Sequence, residues 1–189
     1  MILKALYDYY HRSGDLPPMG FEKKEIYFII VIKEDGTFVR IEDTREGKNP
    51  KSYIVPRGEK RSGITPKSQL LWDNTEYVLA IPKTDSNEDK VKAKEKNAAF
   101  IERCKKIADA MPNVIEFKAI CNFYEKGINQ IESDENFETL LKERIRNISF
   151  QLEYALDIVP SIEAVKDYLT ANDKISSASN QQCCLVTGK

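Results

Sequence analysis

Apolar and polar residues alternate with the period of β-strands through much of the first half of the chain. Glu25–Lys33 is apolar on both alternations, which predicts a strand covered on both faces. Glu34–Gly36 predicts a hairpin turn, and Thr37–Glu42 then alternates like a strand with one face in water. Ser52–Val55 and Tyr77–Ile81 predict two more strands, so these segments together predict an antiparallel sheet.

The second half has the period of amphipathic helices. Four segments carry an apolar stripe and each predicts a helix: Lys90–Met111, Pro112–Gly127, Asn136–Asn147 and Pro160–Thr170. Between the last two, Ile148–Tyr154 alternates strictly and predicts a strand that joins the sheet. The sequence therefore predicts an α+β fold, with an antiparallel sheet mainly from residues 25–81 and helices from the second half packed against it.

The two ends of the chain differ from this middle part. Ile2–Ser13 has an apolar face and predicts a short helix, which Gly14 and the prolines after it end. Asn172–Gln182 is polar and rich in Ser, and Cys183–Thr187 resembles the beginning of a strand. We expect residues 1–175 to form an N-terminal α+β domain, and residues 176–189 to form a polar linker with the start of a truncated following region.

The composition is that of a soluble globular protein. Of 189 residues, 41% are hydrophobic and 31% are charged, a mixture that can bury a core. The sequence shows no signal-peptide pattern and no segment of transmembrane length, so we expect a cytoplasmic protein without membrane contact. The four cysteines form no Cys-x-x-Cys pair and His11 is the only histidine, so we expect no metal site.

Charge is distributed unevenly, although the net charge is only −1. Arg45–Lys67 contains seven cations and two acids, whereas acids predominate in Glu132–Asp173. One region therefore attracts polyanions and another repels them. A free-standing DNA-binding domain is usually basic overall, so the near-zero total indicates a module that relies on partners.

The densest cluster of cations follows the third predicted strand. Arg57, Lys60 and Arg61 lie close together, and Ser62 and Gly63 follow them before the chain becomes apolar again. A loop held at both ends by core-forming segments has a fixed position, and its glycines let backbone N–H groups approach a phosphate closely. The loop is therefore a candidate anion-binding site. The alternative is a solvated basic surface loop without a ligand.

The sequence contains no recognisable catalytic constellation. Its pairs of adjacent carboxylates lie in charged surroundings that give no reason for shifted pKa values. It has no Walker-type phosphate loop and no Gly-x-Gly-x-x-Gly motif. A hydrolase built from Ser62 and His11 is conceivable only because the sequence sets no distance between them. We therefore expect a protein that is not an enzyme and that has no cofactor and no small-molecule substrate.

Four segments, in order, resemble the N-terminal region of one protein family: MILKALYDYYHRSGDLPP, EIYFIIVIKEDGTFVRIED, VPRGEKRSGI and WDNTEYVL. The likeness continues into the final CLVTGK. The family is the large subunit of the type I-C CRISPR Cascade surveillance complex, an RNA-guided assembly that binds DNA. Its members are several times longer, so the resemblance implies that this chain is an N-terminal fragment.

The resemblance implies binding of target double-stranded DNA at the protospacer-adjacent motif, and support of R-loop formation in antiviral defence. It also implies contact with guide RNA-bearing Cascade subunits. Carried onto VPRGEKRSGI, it assigns Arg57, Lys60 and Arg61 to DNA phosphates, and Ser62 and Gly63 to close approach to a groove. The basic loop is shorter here than in the family.

Two residues of the segment WDNTEYVL have alternative roles. The Asn74 amide can contact a base edge, as the resemblance suggests, or it can form an Asx turn between two apolar segments. Trp72 can stack on a base or belong to the core. The sequence leaves both alternatives open.

A different class of function is also open. The chain can be a protein-interaction scaffold that docks onto other Cascade subunits and guide RNA without reading DNA directly. In that case the acidic helical half and the strand Ile148–Tyr154 make the contacts, and the basic loop is only solvated. The salt dependence of DNA affinity separates the two hypotheses, because it reports phosphate contacts.

Overall fold

The computed structural model describes residues 2–5, 8, 16–61, 63 and 65–177. Its strands are Phe21–Glu25 (β1), Phe28–Ile32 (β2), Phe38–Asp43 (β3), Ser52–Pro56 (β4), Trp72–Asn74 (β5) and Asn147–Leu152 (β6). Its helices are Thr75–Leu79 (α1), Asn87–Ala110 (α2), Ile115–Lys126 (α3), Phe137–Lys142 (α4) and Glu163–Ser177 (α5), with 3₁₀ turns at Ile128–Ile131 and Val159–Ser161. The α+β class predicted from the sequence is confirmed.

Strand β2 lies inside a four-stranded sheet with the order β3-β2-β6-β5. It pairs antiparallel with β3 across the predicted hairpin turn and parallel with β6, where Phe28 lies opposite Ile148. The strand predicted over residues 148–154 therefore joins the sheet, as expected. The sheet is mixed rather than wholly antiparallel, because β6 returns after helices α2–α4 and runs in the direction of β2.

Helix α3 covers one face of this sheet, and α2 packs against α1 and α3 in the same core. The residues of β2 on that face are Phe28, Ile30 and Ile32, and all three are fully buried. Phe123 of α3 meets Phe150 of β6 edge to face, with 5.3 Å between the ring centroids. Each such buried side chain contributes about 1.5–3 kcal/mol to folding. The predicted amphipathic stripe of α3 therefore meets the sheet, and that of α2 joins the same core.

A two-stranded ribbon of β1 and β4 covers the opposite face. Ile29 and Val31 of β2 pack there with Val55 of β4 and Trp72 of β5. With both faces covered, every residue of β2 is buried. The prediction of a strand covered on both faces is confirmed.

The ribbon corrects one part of the predicted sheet. Ser52–Val55 is a strand, but it pairs antiparallel with β1 in the ribbon and not with the central sheet. The sequence does not predict β1, because Phe21 is its only apolar residue and the four residues after it are charged. Backbone pairing with β4, from Phe21 opposite Pro56 to Glu25 opposite Ser52, forms the strand.

The strand predicted over Tyr77–Ile81 is wrong, because the chain there forms most of helix α1. All residues of Thr75–Leu79 are buried, so this helix has no solvent-exposed face that would give it an amphipathic period. Asn74 begins the helix with a side-chain cap, and Ala80 ends it in the left-handed conformation with φ 55°. Local capping and burial thus override the β-branched and aromatic residues of the segment.

The other predicted helices agree with the structure to different extents. The helices predicted over residues 90–111, 112–127 and 160–170 correspond to α2, α3 and α5. The one predicted over residues 136–147 is helical only in α4, which ends before Glu143. Of the helix predicted over Ile2–Ser13, residues 2–5 and 8 are helical, and the remainder lies outside the described residues, as do residues 178–189.

Candidate nucleic-acid interface

The cationic loop leaves β4 at Pro56 and returns to the core at Leu70. Arg57, the first residue of the loop, extends the pairing between β1 and β4, because its backbone N–H donates to the carbonyl of Gly20 at 2.8 Å. The Gly58 N–H then donates to the Glu22 carboxylate of β1 at 3.0 Å. The start of the loop is therefore tied to the neighbouring strand, as expected for a loop of fixed position.

Two polar side chains hold the base of the loop together. Gln69 accepts a hydrogen bond from the Glu59 N–H at 2.7 Å and donates its amide to the Glu59 carbonyl at 3.2 Å. Arg103 of α2 donates to the carbonyl of Ser68 and to the carboxylate of Glu59. These contacts join the two ends of the loop to each other and to α2.

Arg61 has the most partners of the three predicted cations. Its guanidinium forms an ion pair with Asp73, donates to the carbonyl of Lys67 at 2.8 Å, and lies over the Tyr77 ring at 4.2 Å from the centroid. Asp73 also accepts from the Gln69 N–H at 2.8 Å. The geometry makes Arg61 a clamp between the loop and the core rather than a free phosphate ligand.

Burial determines the electrostatics of this clamp. The Asp73 side chain is only 3% exposed, and this desolvation raises the pKa of its carboxyl group, an effect that the charge and hydrogen bond of Arg61 oppose. A buried carboxylate without its cation is costly. The clamp therefore resists any ligand that would pull Arg61 away.

Of the three predicted cations, Arg57 and Lys60 are the two that remain available. Within the described residues, neither side chain has a hydrogen bond or an ion pair. Gly63 is also exposed, with φ 95° and open space on the side where a Cβ atom would lie. Ser62 lies outside the described residues. Two of the three predicted phosphate contacts are thus presented to solvent on a fixed backbone.

Asn74 is the N-cap of α1. Its side-chain oxygen accepts from the N–H groups of Glu76 at 3.1 Å and Tyr77 at 3.4 Å, which is the Asx-type alternative considered for this residue. Bidentate recognition of adenine needs both the oxygen and the nitrogen of the amide. The side-chain oxygen of Asn74 is occupied by the cap, and its amide nitrogen has no partner among the described residues. In this state the side chain can therefore donate one hydrogen bond to a base but cannot form the bidentate contact.

Trp72 belongs to the core. Its side chain is 3% exposed, packs in the cluster between the sheet and the ribbon, and donates its indole N–H to the carbonyl of Pro56 at 3.0 Å. Stacking on a base requires an open ring face. Of the two alternatives for Trp72, the structure supports the core residue.

The loop borders a polar hollow of about 330 Å³. The hollow brings Lys60, Arg61 and Asn74 together, and it adds Lys24 of β1 and Asn147 of β6. Lys24 lies over the Trp72 ring, 5.3 Å from its centroid. The sequence did not indicate Lys24 as a site residue, because β1 was not predicted as a strand. Lys24 reaches the hollow only through the pairing of β1 with β4.

The family described as CRISPR-associated protein (Cas_Csd1) matches residues 5–189. The chain belongs to the Cas_Csd1 family. No curated protein matches it. Cas_Csd1 membership makes it a CRISPR-associated, Cascade-type protein, so the resemblance seen in the sequence is confirmed at this level.

Two kinds of feature are absent from the described residues of this Cas_Csd1 chain. In the described part of the chain, no group of His, Cys, Asp and Glu side chains has the arrangement of a metal site. None of the described helices is long and apolar enough to span a bilayer.

Proposed function

We propose that this chain is the N-terminal domain of a type I-C Cascade large subunit. It binds target double-stranded DNA at the protospacer-adjacent motif and supports R-loop formation, in contact with guide RNA-bearing subunits. No catalytic step belongs to this proposal. The observation that carries it is the loop in which Arg57 and Lys60 have no side-chain partner among the described residues, while the loop's base is fixed.

A fixed loop suits phosphate binding for an energetic reason. A flexible lysine or arginine loop loses backbone freedom when it binds, whereas this loop is already ordered by the bonds of Gly58, Glu59 and Arg61. Each phosphate contact then adds affinity by releasing counterions from DNA. In RNA-guided recognition the protein contacts the short motif and the backbone, while guide pairing selects the sequence. The loop fits the backbone part of this task.

Charge reversal in the loop tests the proposal. We expect Arg57→Glu with Lys60→Glu to abolish duplex binding in a fluorescence-anisotropy titration, with folding unchanged because both side chains are exposed. Lys118→Glu with Lys142→Glu is the matched control, because it reverses two exposed lysines on α3 and α4. Duplexes with and without a candidate motif distinguish motif recognition from general binding. Equal affinity of the loop variant and the control would refute the site.

A second candidate is a docking module that has no direct contact with DNA. The observation that favours it is that Arg61 and the Asn74 side-chain oxygen already have structural partners. Under this hypothesis the chain does not bind duplex DNA even at low salt, and DNA recognition requires other subunits. The same titration separates the two candidates.

A further inference from the structure

An open groove of about 530 Å³ lies at the other end of β6 from the cationic loop. It is lined by the hairpin turn Lys33–Asp35, by Ile115 and Glu116 at the start of α3, and by Leu152–Ala155. Asn147, at the first position of β6, borders the polar hollow beside the cationic loop, whereas Leu152, at the last position, borders this groove. The two sites are therefore separated by the length of a strand, about 17 Å.

Apolar side chains are exposed in and beside the groove. Tyr154 is 91% exposed, Leu156 is 97% exposed and Ile115 is 43% exposed. Single exposed apolar residues are common, but a group of them around one groove indicates an interaction site. Tyr and Leu side chains at this exposure contribute nothing to the core. They are available to a partner.

The backbone that carries Tyr154 and Leu156 is held in a defined turn. The Ala155 N–H donates to the carbonyl of Leu152 at 3.0 Å, and Gln151 donates its side-chain amide to the carbonyl of Ala155 at 2.7 Å. Ile158 is fully buried a few residues later. The apolar side chains are therefore presented by an ordered segment, and binding to them does not first have to order the chain.

The charge around these apolar residues selects the kind of partner. The groove is lined by four carboxylates and one lysine: Glu34, Asp35, Glu116, Glu153 and Lys33. A second lysine, Lys126 of α3, donates to the Asp35 carboxylate at 2.8 Å. Excess negative charge repels nucleic-acid phosphates and attracts basic side chains. An apolar centre with an acidic rim is therefore complementary to a basic, amphipathic protein segment.

We propose that this groove binds a cationic amphipathic segment of a partner protein, with apolar side chains against Tyr154, Leu156 and Ile115 and basic side chains against the acidic rim. The inference rests on the proposed function only in assuming that the chain works within an assembly. One molecule then contacts nucleic acid at one end of β6 and protein at the other.

A titration with three synthetic peptides of equal length tests this inference. The first carries lysines on one helical face and leucines on the other, the second has glutamates in place of lysines, and the third has serines in place of leucines. We expect the first to bind and to shift the amide NMR signals of residues 33–35, 115–116 and 152–156 in the ¹⁵N-labelled chain. We expect no binding of the glutamate peptide, and binding of the serine peptide weaker by about tenfold.

Variants separate the groove from general adhesion. Tyr154→Ser with Leu156→Ser removes two of the exposed apolar groups. We expect this double variant to bind the lysine–leucine peptide with about tenfold lower affinity than the wild type. Met19→Ser with Val91→Ser is the matched control, because those side chains are 87% and 57% exposed elsewhere on the chain. We expect its peptide affinity to equal that of the wild type. Signal shifts outside the groove, or equal weakening in both variants, would overturn the inference.

Two more readouts separate peptide binding from self-association and from DNA binding. If sedimentation shows that the wild type self-associates and the Tyr154→Ser/Leu156→Ser variant does not, the groove takes a second copy of this chain and the inference is wrong. We expect that variant to keep wild-type affinity for duplex DNA, since its changes lie at the far end of β6. Loss of peptide binding with DNA binding intact therefore tests the groove independently of the proposed DNA site.

Discussion

Arg61 of the cationic loop forms an ion pair with Asp73, whose carboxylate is almost completely buried at β5. The same guanidinium covers the ring of Tyr77 in helix α1. A cation that looks like a phosphate ligand in the sequence is therefore part of the connection between loop and core. Arg57 and Lys60, which have no such connection among the described residues, are left to contact a ligand.

The clamp predicts different effects of two neighbouring arginines on stability. We expect Arg61→Ala to lower the free energy of unfolding by about 2 kcal/mol, because it leaves the buried Asp73 carboxylate without its cation. We expect Arg57→Ala to change it by no more than about 0.5 kcal/mol, since that side chain is exposed. Urea denaturation measures both values. Equal effects of the two substitutions would show that Arg61 does not act as a clamp.

The two alternatives for Asn74 can be separated by substitution. Asn74→Ala removes the cap of α1 and should cost about 1 kcal/mol of stability, whereas Asn74→Ser keeps a capping oxygen and should cost less. Serine lacks the amide donor, so a role in contacting a base predicts that Asn74→Ser loses preference for the motif while stability is kept. Denaturation and anisotropy titrations with matched duplexes measure the two effects. Unchanged motif preference in a stable Asn74→Ser variant would leave Asn74 with a capping role only.

Gly36 is required where the β2–β3 turn meets α3. Its φ is 81°, and a Cβ atom there would clash with the backbone of α3 at Asn122 and Phe123. We expect Gly36→Ala to lower the free energy of unfolding by about 3 kcal/mol or more, because it adds a clash with backbone to the strain of positive φ. Gly47→Ala is the control, since Gly47 has φ 69° and nothing within 4 Å. It should cost about 1 kcal/mol, and an equal cost at both positions would contradict the close packing of turn and helix.

The Arg45–Asp43 ion pair predicts a pH dependence of stability. Hydrogen bonds from Arg45 lower the pKa of Asp43, and Arg146 followed by Arg45 lowers the pKa of Glu143. A carboxyl group with a lowered folded-state pKa stabilises the fold above its ordinary pKa, and this contribution is lost as the pH falls through the folded-state value. We expect Arg45→Met to be less stable than wild type by about 1 kcal/mol near neutral pH, with the difference shrinking below about pH 4.

The control for this pH dependence is Arg40→Met. Arg40 pairs with Glu42 at 3.4 Å on β3, the strand that also contains Asp43, and the two side chains are 50% and 39% exposed. An exposed pair of this kind contributes little, so we expect a small effect at every pH. Denaturant titrations at several pH values give the comparison. A difference for Arg45→Met that does not depend on pH would mean that the residue stabilises the fold by packing over Phe28 instead.

Local patterns were sufficient for the elements that bury a face. The apolar run of β2, the hairpin turn at Gly36 and the stripes of α2 and α3 each follow from residues that are adjacent on one element. Helix α1 was not predictable from hydrophobic periodicity, because every one of its residues is buried. Its N-cap, Asn74, did not reveal it either, because the sequence also allowed that residue to contact a base. Strand β1 was not predictable because its stability comes from pairing with β4 and not from its own residues.

The candidate site was predictable only as a group of charges. The sequence places Arg57, Lys60 and Arg61 in one loop, but it does not show that Asp73, twelve residues after Arg61, is buried and takes Arg61 as its partner. Nor does it show that Lys24 reaches the same hollow. Pairing and burial are properties of the folded chain, and they decide which cations remain available to a ligand.

The most direct test of DNA binding by the cationic loop is the salt dependence of duplex affinity for the wild type and for Arg57→Gln with Lys60→Gln. If these two side chains neutralise DNA phosphates, removing both should make the slope of log affinity against log salt shallower by about 1.8. Lys118→Gln with Lys142→Gln, the same loss of charge elsewhere, should keep the wild-type slope. Equal slopes for the wild type and the loop variant would contradict the claim that the cationic loop holds DNA.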